Sequence, residues 1–281
     1  MGDVVFMEKI NKNKKLFNKI FIVSLIVAFV IFILILNLGE FMLPFSFLFI
    51  TLYIIAMVIC YNELVKKPFK MEVVGNVLKS YKSTIEYTYK DKMQHVKDMI
   101  RELKLIPSAS NFNFTDIIKD DVDNIGFCSM ELHATHTTSN GKTTTTVTDF
   151  KGKVFEIDLE SKNLSYVLKE EKWKHTPSGY SFIELEVIDF NSKFNLYTTD
   201  EHEIFKVFTP NKIKKMIELE RKYNNVMMIV QNVDKLYILL YDREDLFESM
   251  DNPEVTIIED YKKQIEILKD YLDVINEKYN V

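Results

Sequence analysis

The stretches Ile20–Leu36, IFIVSLIVAFVIFILIL, and Leu43–Tyr61, LPFSFLFITLYIIAMVICY, decide how this chain is read. Neither contains Asp, Glu, Lys, Arg or His. A helix that crosses a bilayer needs ~20 apolar residues to span ~30 Å of hydrocarbon. The second run meets that requirement, and the first meets it once Phe17 and Leu38 are counted as interfacial flanks. Lipid offers the backbone no hydrogen-bond partners, so each run is expected to be a helix. Gly39 is placed to end the first, and Pro44 falls in the first turn of the second, where its missing N–H costs little. The link Asn37–Met42 is short enough to force an antiparallel return.

Lysines predict the orientation. Lys9, Lys12, Lys14, Lys15 and Lys19 precede the first run, Lys66, Lys67 and Lys70 follow the second, and the connecting turn holds only Glu40. Positive flanks stay on the cytoplasmic side. The expectation is a two-span protein of the cell membrane with both termini cytoplasmic. Leu36-Asn37-Leu38 is a poor signal-peptide cleavage site, Phe6 stands where an acyl-glycine motif needs Ser or Thr, and Cys60 lies too deep to carry a lipid. Transport paths usually need ionisable groups inside the membrane, so these spans read as an anchor. Ser24, Ser46, Thr51 and Tyr53 are their main polar side chains, of a kind that commonly bonds its own backbone. Ser24 and Ala28 form a small-xxx-small step that lets helices approach.

About 220 residues lie beyond the hairpin, enough for a domain with its own core. The net charge of −5 gives no general attraction to nucleic acid. Cys60 and Cys128 fall in the membrane and soluble parts, so no disulfide between them is expected. No cofactor motif is present.

The periodicity predicts a helical continuation over residues 62–82, a short strand around Ile85, Tyr87 and Tyr89, then a helix through Met93, Val96, Met99, Ile100 and Leu103. Pro107 and Ser108–Asn113 read as a loop and boundary. Gly126–Thr137 and Thr143–Leu159 flank Ser139-Asn140-Gly141-Lys142, a hairpin signal. Cys128, Met130, Leu132 and Ala134 share one face, as do Phe150, Gly152 and Val154. The two sets coincide if the loop has an odd number of residues, so a three-residue loop with a glycine bulge is expected. Glu131, His133, Thr135, Thr145, Asp149 and Lys151 then form a wet face.

Further strands are expected at Leu164–Leu168, after the turn Ser161-Lys162-Asn163, and at Phe182–Val187, after Pro177-Ser178-Gly179. Thr198-Thr199-Asp200 resembles a helix start, and Thr209-Pro210 reads as N-cap and first residue of a helix through Tyr223. Val226–Val230 and Leu236–Tyr241 are apolar on both faces and should be central strands. After Pro253, Ile258, Tyr261, Ile265, Leu268, Leu272, Ile275 and Tyr279 step by three and four, with Ile257 and Tyr271 widening the stripe. That seam suits either a homo-oligomeric coiled coil or packing within the chain. The fold class is α+β: a transmembrane hairpin, then a cytoplasmic domain with a mainly antiparallel sheet, flanking helices and a long C-terminal helix. Its segments are a tail over 1–16, the hairpin over 17–61, a helical linker over 62–106, the α+β domain over 107–250 and the final helix over 253–281.

From Phe150-Lys151-Gly152-Lys153-Val154-Phe155 onward the motifs run in order: Leu185-Glu186 with Phe190 and Phe194, then Leu196-Tyr197-Thr198-Thr199-Asp200 and Phe208-Thr209-Pro210. Lys235-Leu236-Tyr237-Ile238 and Leu246-Phe247-Glu248 complete the set. In these the chain resembles a bacterial family of uncharacterised membrane proteins, catalogued as domain of unknown function 3137. It departs from that pattern at Phe205-Lys206-Val207, where the family tends to be more basic. The resemblance implies a two-span anchor with a cytoplasmic α+β domain, and no activity.

The candidate chemistry is sparse. His133 and His136 would point to opposite faces of a strand and could not share a metal without a bulge. His133 could instead pair across strands with Asp149. Asp121-x-Asp123-x-x-Gly126 opens like a calcium loop but has Leu132 where a bidentate Glu is required. Asp149, Asp158 and Asp189 have no pairing spacing for acid–base work. Trp173, between Lys172 and Lys174, is a candidate for touching a partner or lipid headgroups, and the threonine tract Thr135–Thr148 could accept a partner strand. The reading is a membrane-anchored interaction module binding a protein or headgroups, with the bilayer and a protein as partners. A tethered enzyme acting on a lipid or nucleotide, or a small oligomeric pore, are the alternatives.

Overall fold

The structure, a computed structural model, describes residues 2–37, 43–159, 164–170, 175–223, 227–232 and 234–275. The chain divides into two units, Met1–Tyr81 and Lys82–Val281. The expected turn at Gly39 and Glu40 and the turn at Ser161-Lys162-Asn163 lie outside the described residues.

In the first unit, α1 covers Gly2–Asn37 and α2 covers Leu43–Tyr61, with Pro44 in its first turn. The helix continues through wide π-type turns at Asn62–Lys66 and Phe69–Val74 into α3, Gly75–Tyr81. Pro68 explains the widening. In α-helical register the Leu64 carbonyl would accept from residue 68, which has no N–H. Lys67 N–H instead reaches back five residues to Asn62 O, and the Asn13 amide donates to Leu64 O at 2.9 Å. Two helices of this unit are long and apolar enough to cross a membrane. Ser24 and Thr51 donate back to Phe21 O (3.0 Å) and Phe47 O (2.9 Å), as residues of this type do in apolar helices.

In the second unit, β1 (Glu86–Asp91), β2 (Asn111–Val122), β3 (Ile125–Ser139) and β4 (Thr144–Asp158) form one half of an antiparallel sheet. β5 (Tyr166–Glu170), β6 (Ser181–Ile183), β7 (Phe194–Thr198), β8 (Met227–Asn232) and β9 (Lys235–Tyr241) form the other. Among the described residues the order is β1-β2-β3-β4-β9-β8-β5-β7-β6. The apolar β9 lies at the centre, covered on both faces. Helices α4 (Gln94–Glu102), α5 (Ile188–Asn191), α6 (Glu201–Val207), α7 (Pro210–Tyr223) and α8 (Pro253–Ile275) complete the unit. Asp200 caps α6 through His202 and Glu203 N–H, and the Thr209 hydroxyl accepts from Lys212 N–H at the start of α7. One face of the sheet packs under α7 and α8, the other under α4.

Several expectations need correction. The loop between β3 and β4 has four residues, because Ser139 pairs with Thr144. The faces still coincide as expected, with Met130 opposite Val154, Leu132 opposite Gly152 and Ala134 opposite Phe150. A β-bulge restores the parity: Ala134 pairs with Phe150 and Thr135 with Thr148, leaving Asp149 as the extra residue. The opposite face is not wet along its length. Phe127, Phe155 and Ile157 on it are core residues, and Lys153 is buried. The loop after β9 covers its middle part, held by Lys153–Asp242 (2.7 Å), Lys151–Asp245 (2.8 Å) and Leu246 N–H donating to Glu131. Among the described residues, that face is open to solvent from His133 outward to the tip.

The polar run Ser108–Asn113 leads into β2 rather than closing a domain, and β1 and α4 belong to the sheet unit. The expected strand Phe182–Val187 stops at Ile183, because the Asn191 side chain bonds both backbone groups of Leu185 and takes the place of a strand partner. The seam of α8 is turned by about one residue. Ile257, Tyr261, Gln264, Leu268, Tyr271 and Ile275 are buried, while Ile258 and Ile265 are only partly so. Leu268, Tyr271 and Leu272 join the core formed with α7 and the sheet, so the helix packs within its own chain.

Candidate functional site

Four strands place one row of side chains across the sheet. Lys119 on β2 pairs with Cys128 on β3, Cys128 with Glu156 on β4, and Glu156 with Tyr237 on β9. Paired residues point to the same face, so all four converge. Lys235, two residues before Tyr237, joins them. The start of α4 closes the other side, where Met93 takes the left-handed conformation (φ 41°) and leads into Gln94 and His95. The result is an open concavity of about 630 Å³.

Glu156 is its hub. Its side chain is 8% exposed and is held on one oxygen by His95 Nε2 at 2.7 Å and on the other by Lys235 Nζ. Burial opposes a charged Lys235, but the hydrogen bond to Glu156, together with the negative charge of Glu156 and Asp158 nearby, outweighs it and raises the ammonium above its ordinary value. Burial, with the Glu156 charge adding to it, pushes the Cys128 thiol up to about 12, so this cysteine is protonated and a poor nucleophile. The same two causes push the Tyr237 hydroxyl up to about 12. Lys92 and Lys119 stand exposed at the rim with Asp91. This arrangement suits recognition of a polar ligand by charge and hydrogen bonding. Among the described residues no three His, Cys, Asp or Glu side chains gather as metal ligands.

The residues singled out from sequence lie elsewhere. His133 is exposed and meets Thr148 Oγ1 at 3.0 Å. The expected pair of His133 with Asp149 does not form, because the bulge turns Asp149 toward His136 Nδ1 (2.8 Å) and Ser108 Oγ (2.6 Å). Trp173, Lys172 and Lys174 lie outside the described residues. Asp158 reaches Lys235 at 3.5 Å, and Asp189 opens α5, so neither joins Asp149. Asp121 and Asp123 pair with Lys82 and Lys269 at 3.3 and 3.4 Å around a two-residue turn. No local spacing advertised the concavity, whose members come from five separate segments. The one hint was Glu156 inside the otherwise apolar run Val154–Ile157.

Elsewhere in this unit, Lys169 is fully buried on β5. Its amine donates to His175 O and lies 5.1 Å from the Tyr197 ring centre. Burial pulls its ammonium down to about 8.

Two long apolar helices joined to an antiparallel α+β unit define the class of protein. Residues 136–277, half of the chain, match the family described as protein of unknown function (DUF3137), and the chain belongs to that family. The match runs from the end of β3 through α8 and takes in Glu156, Lys235 and Tyr237, but not His95, Lys119 or Cys128. No curated protein matches the sequence. Among solved structures, the crystal structure of the mycobacterial trehalose monomycolate transport factor A is similar at a TM-score of 0.42 and 8% identity, over 72% of this chain and 96% of that one.

Proposed function

We propose that this protein is a membrane-anchored interaction module. The helix pair fixes the α+β unit at the cytoplasmic face of a membrane, and the concavity around Glu156 is the surface that meets a protein or a lipid headgroup. The observation that carries the anchor is where the apolar side chains of α1 and α2 point. Val23, Phe29 and Phe47 are 62%, 62% and 70% exposed, which is stable only against an apolar solvent. Lysines on both outer flanks support the cytoplasmic orientation.

Membrane fractionation tests this reading. The full chain should resist extraction by alkaline carbonate. A cysteine placed by Ser178→Cys should stay unlabelled by a membrane-impermeant maleimide in intact cells and label after lysis. Release by carbonate would overturn the anchor, and labelling of intact cells would overturn the orientation.

A further inference from the structure

The helix pair is not closely packed along its whole length. Between α1 and α2 lies a groove of about 540 Å³, open along one side. Val23, Val27 and Ala28 line it from α1, Phe49 and Tyr53 from α2, and Lys19 stands at one end. Small side chains at Ser24 and Ala28 leave the space. The polar atoms of its wall are already engaged: the Ser24 hydroxyl donates to Phe21 O and lies 3.1 Å from the Tyr53 hydroxyl. The interior therefore presents hydrocarbon and no free donor.

We propose that this groove is a binding site for one anionic phospholipid, its acyl chain lying against Val23, Val27, Ala28 and Phe49 and its phosphate on the Lys19 ammonium. The inference rests on the membrane reading above. Two observations select this occupant. The first is charge: Lys19 closes the groove where the ion-free run begins at Ile20, makes no ion pair among the described residues, and follows Lys12, Lys14 and Lys15. The second is length. From Lys19 to Ala28 the helix rises about 13 Å, close to half of a ~30 Å hydrocarbon core. The groove thus spans one leaflet, with its cation at headgroup depth and its apolar walls at acyl depth.

Native mass spectrometry of the full chain in detergent, titrated with phosphatidylglycerol or phosphatidylcholine, tests the site. One phosphatidylglycerol should be retained per chain, with about fivefold preference over phosphatidylcholine, the size expected for one lysine at a charged interface. Lys19→Gln should abolish the preference, Lys19→Arg should keep it, and Ala28→Phe should fill the groove and remove retention of both lipids. Equal retention of the two lipids, or indifference to these substitutions, would overturn the site. So would a dimer lost on Ala28→Phe, which would make a second copy the occupant. A chain that resists carbonate yet retains no lipid refutes this inference alone, whereas a chain released by carbonate refutes both readings.

Discussion

Val23, Phe29 and Phe47 of the helix unit keep well over half of their surface exposed, while Phe150, Phe155 and Ile238 of the sheet unit keep none. The residue types are the same and their placement is opposite. In the sheet unit two clusters, one on each face, bury these side chains between strands and helices, at a gain of roughly 25 cal/mol per Å² removed from water. Along α1 and α2 the apolar surface points outward on nearly every turn, whereas Val65, Phe69, Val74 and Leu78 beyond them are buried. The sheet unit and the α1–α2 pair have surfaces suited to different solvents. One folds by excluding water, and the other presents a surface that water would penalise and hydrocarbon would not.

The largest effect that sharpens this contrast comes from paired truncations. Phe150→Ala should destabilise the sheet unit by about 3–5 kcal/mol in denaturant unfolding. Phe29→Ala, with a ring of equal size, should leave that transition within ~0.5 kcal/mol. Equal effects would mean that the outward-facing ring belongs to a packed core.

A smaller loss is expected at a polar anchor of the sheet unit. The Asp120 carboxylate, with no exposed surface, accepts from Lys82 at 2.9 Å, from Thr84 at 2.7 Å and from Tyr261 on α8. Burial works against its charge, and these hydrogen bonds outweigh it, holding its carboxyl below the ordinary range. A depressed carboxyl stabilises the fold above the unfolded value of about 4, and the contribution is lost as pH falls through the folded value. Asp120→Asn should therefore cost about 2–3 kcal/mol at neutral pH, with the gap to the parent chain closing in melts below about pH 4.

Lys169 breaks the contrast from the other side, because it is a charge inside the unit that excludes water. Its pKa is lowered from 10.5 to about 8. The burial cost is full below about pH 8 and is relieved as pH rises toward the unfolded value. Lys169→Met should stabilise the unit by about 2 kcal/mol at neutral pH, and the gain should shrink in melts near pH 10. A destabilised variant would show that the amine's bond to His175 O outweighs its desolvation.

Much of this architecture was legible because local chemistry decided it. Ion-free runs marked the two helices, Thr209-Pro210 marked the start of α7, and unbroken apolar runs marked β8 and β9 as central. β2 was hidden because its alternation breaks at a bulge around Asp116, which takes φ 50° and accepts from the Tyr87 hydroxyl at 2.6 Å, contacts no local pattern reveals. The face of α8 was ambiguous because Ile257 and Ile258, or Gln264 and Ile265, offer adjacent phases of one repeat, and only the sheet beneath selects between them. Gly152 carries a similar long-range reason, since a Cβ there would lie 2.0 Å from Leu240 O on the neighbouring strand. The concavity was the least legible of all. Its row of Lys119, Cys128, Glu156 and Tyr237 exists only once strand order and register are set.

Depth labelling in native membranes separates a lipid-facing helix pair from a water-facing sheet unit. In a Cys60→Ser, Cys128→Ser background, single cysteines from Ile26→Cys, Leu52→Cys and Thr145→Cys would be exposed to a water-soluble maleimide after the vesicles are made permeable. Rapid reaction is expected at position 145, and none at positions 26 and 52 until the membrane is dissolved and the chain denatured. Reaction at position 26 as fast as at position 145 in intact bilayers would contradict a lipid-facing α1.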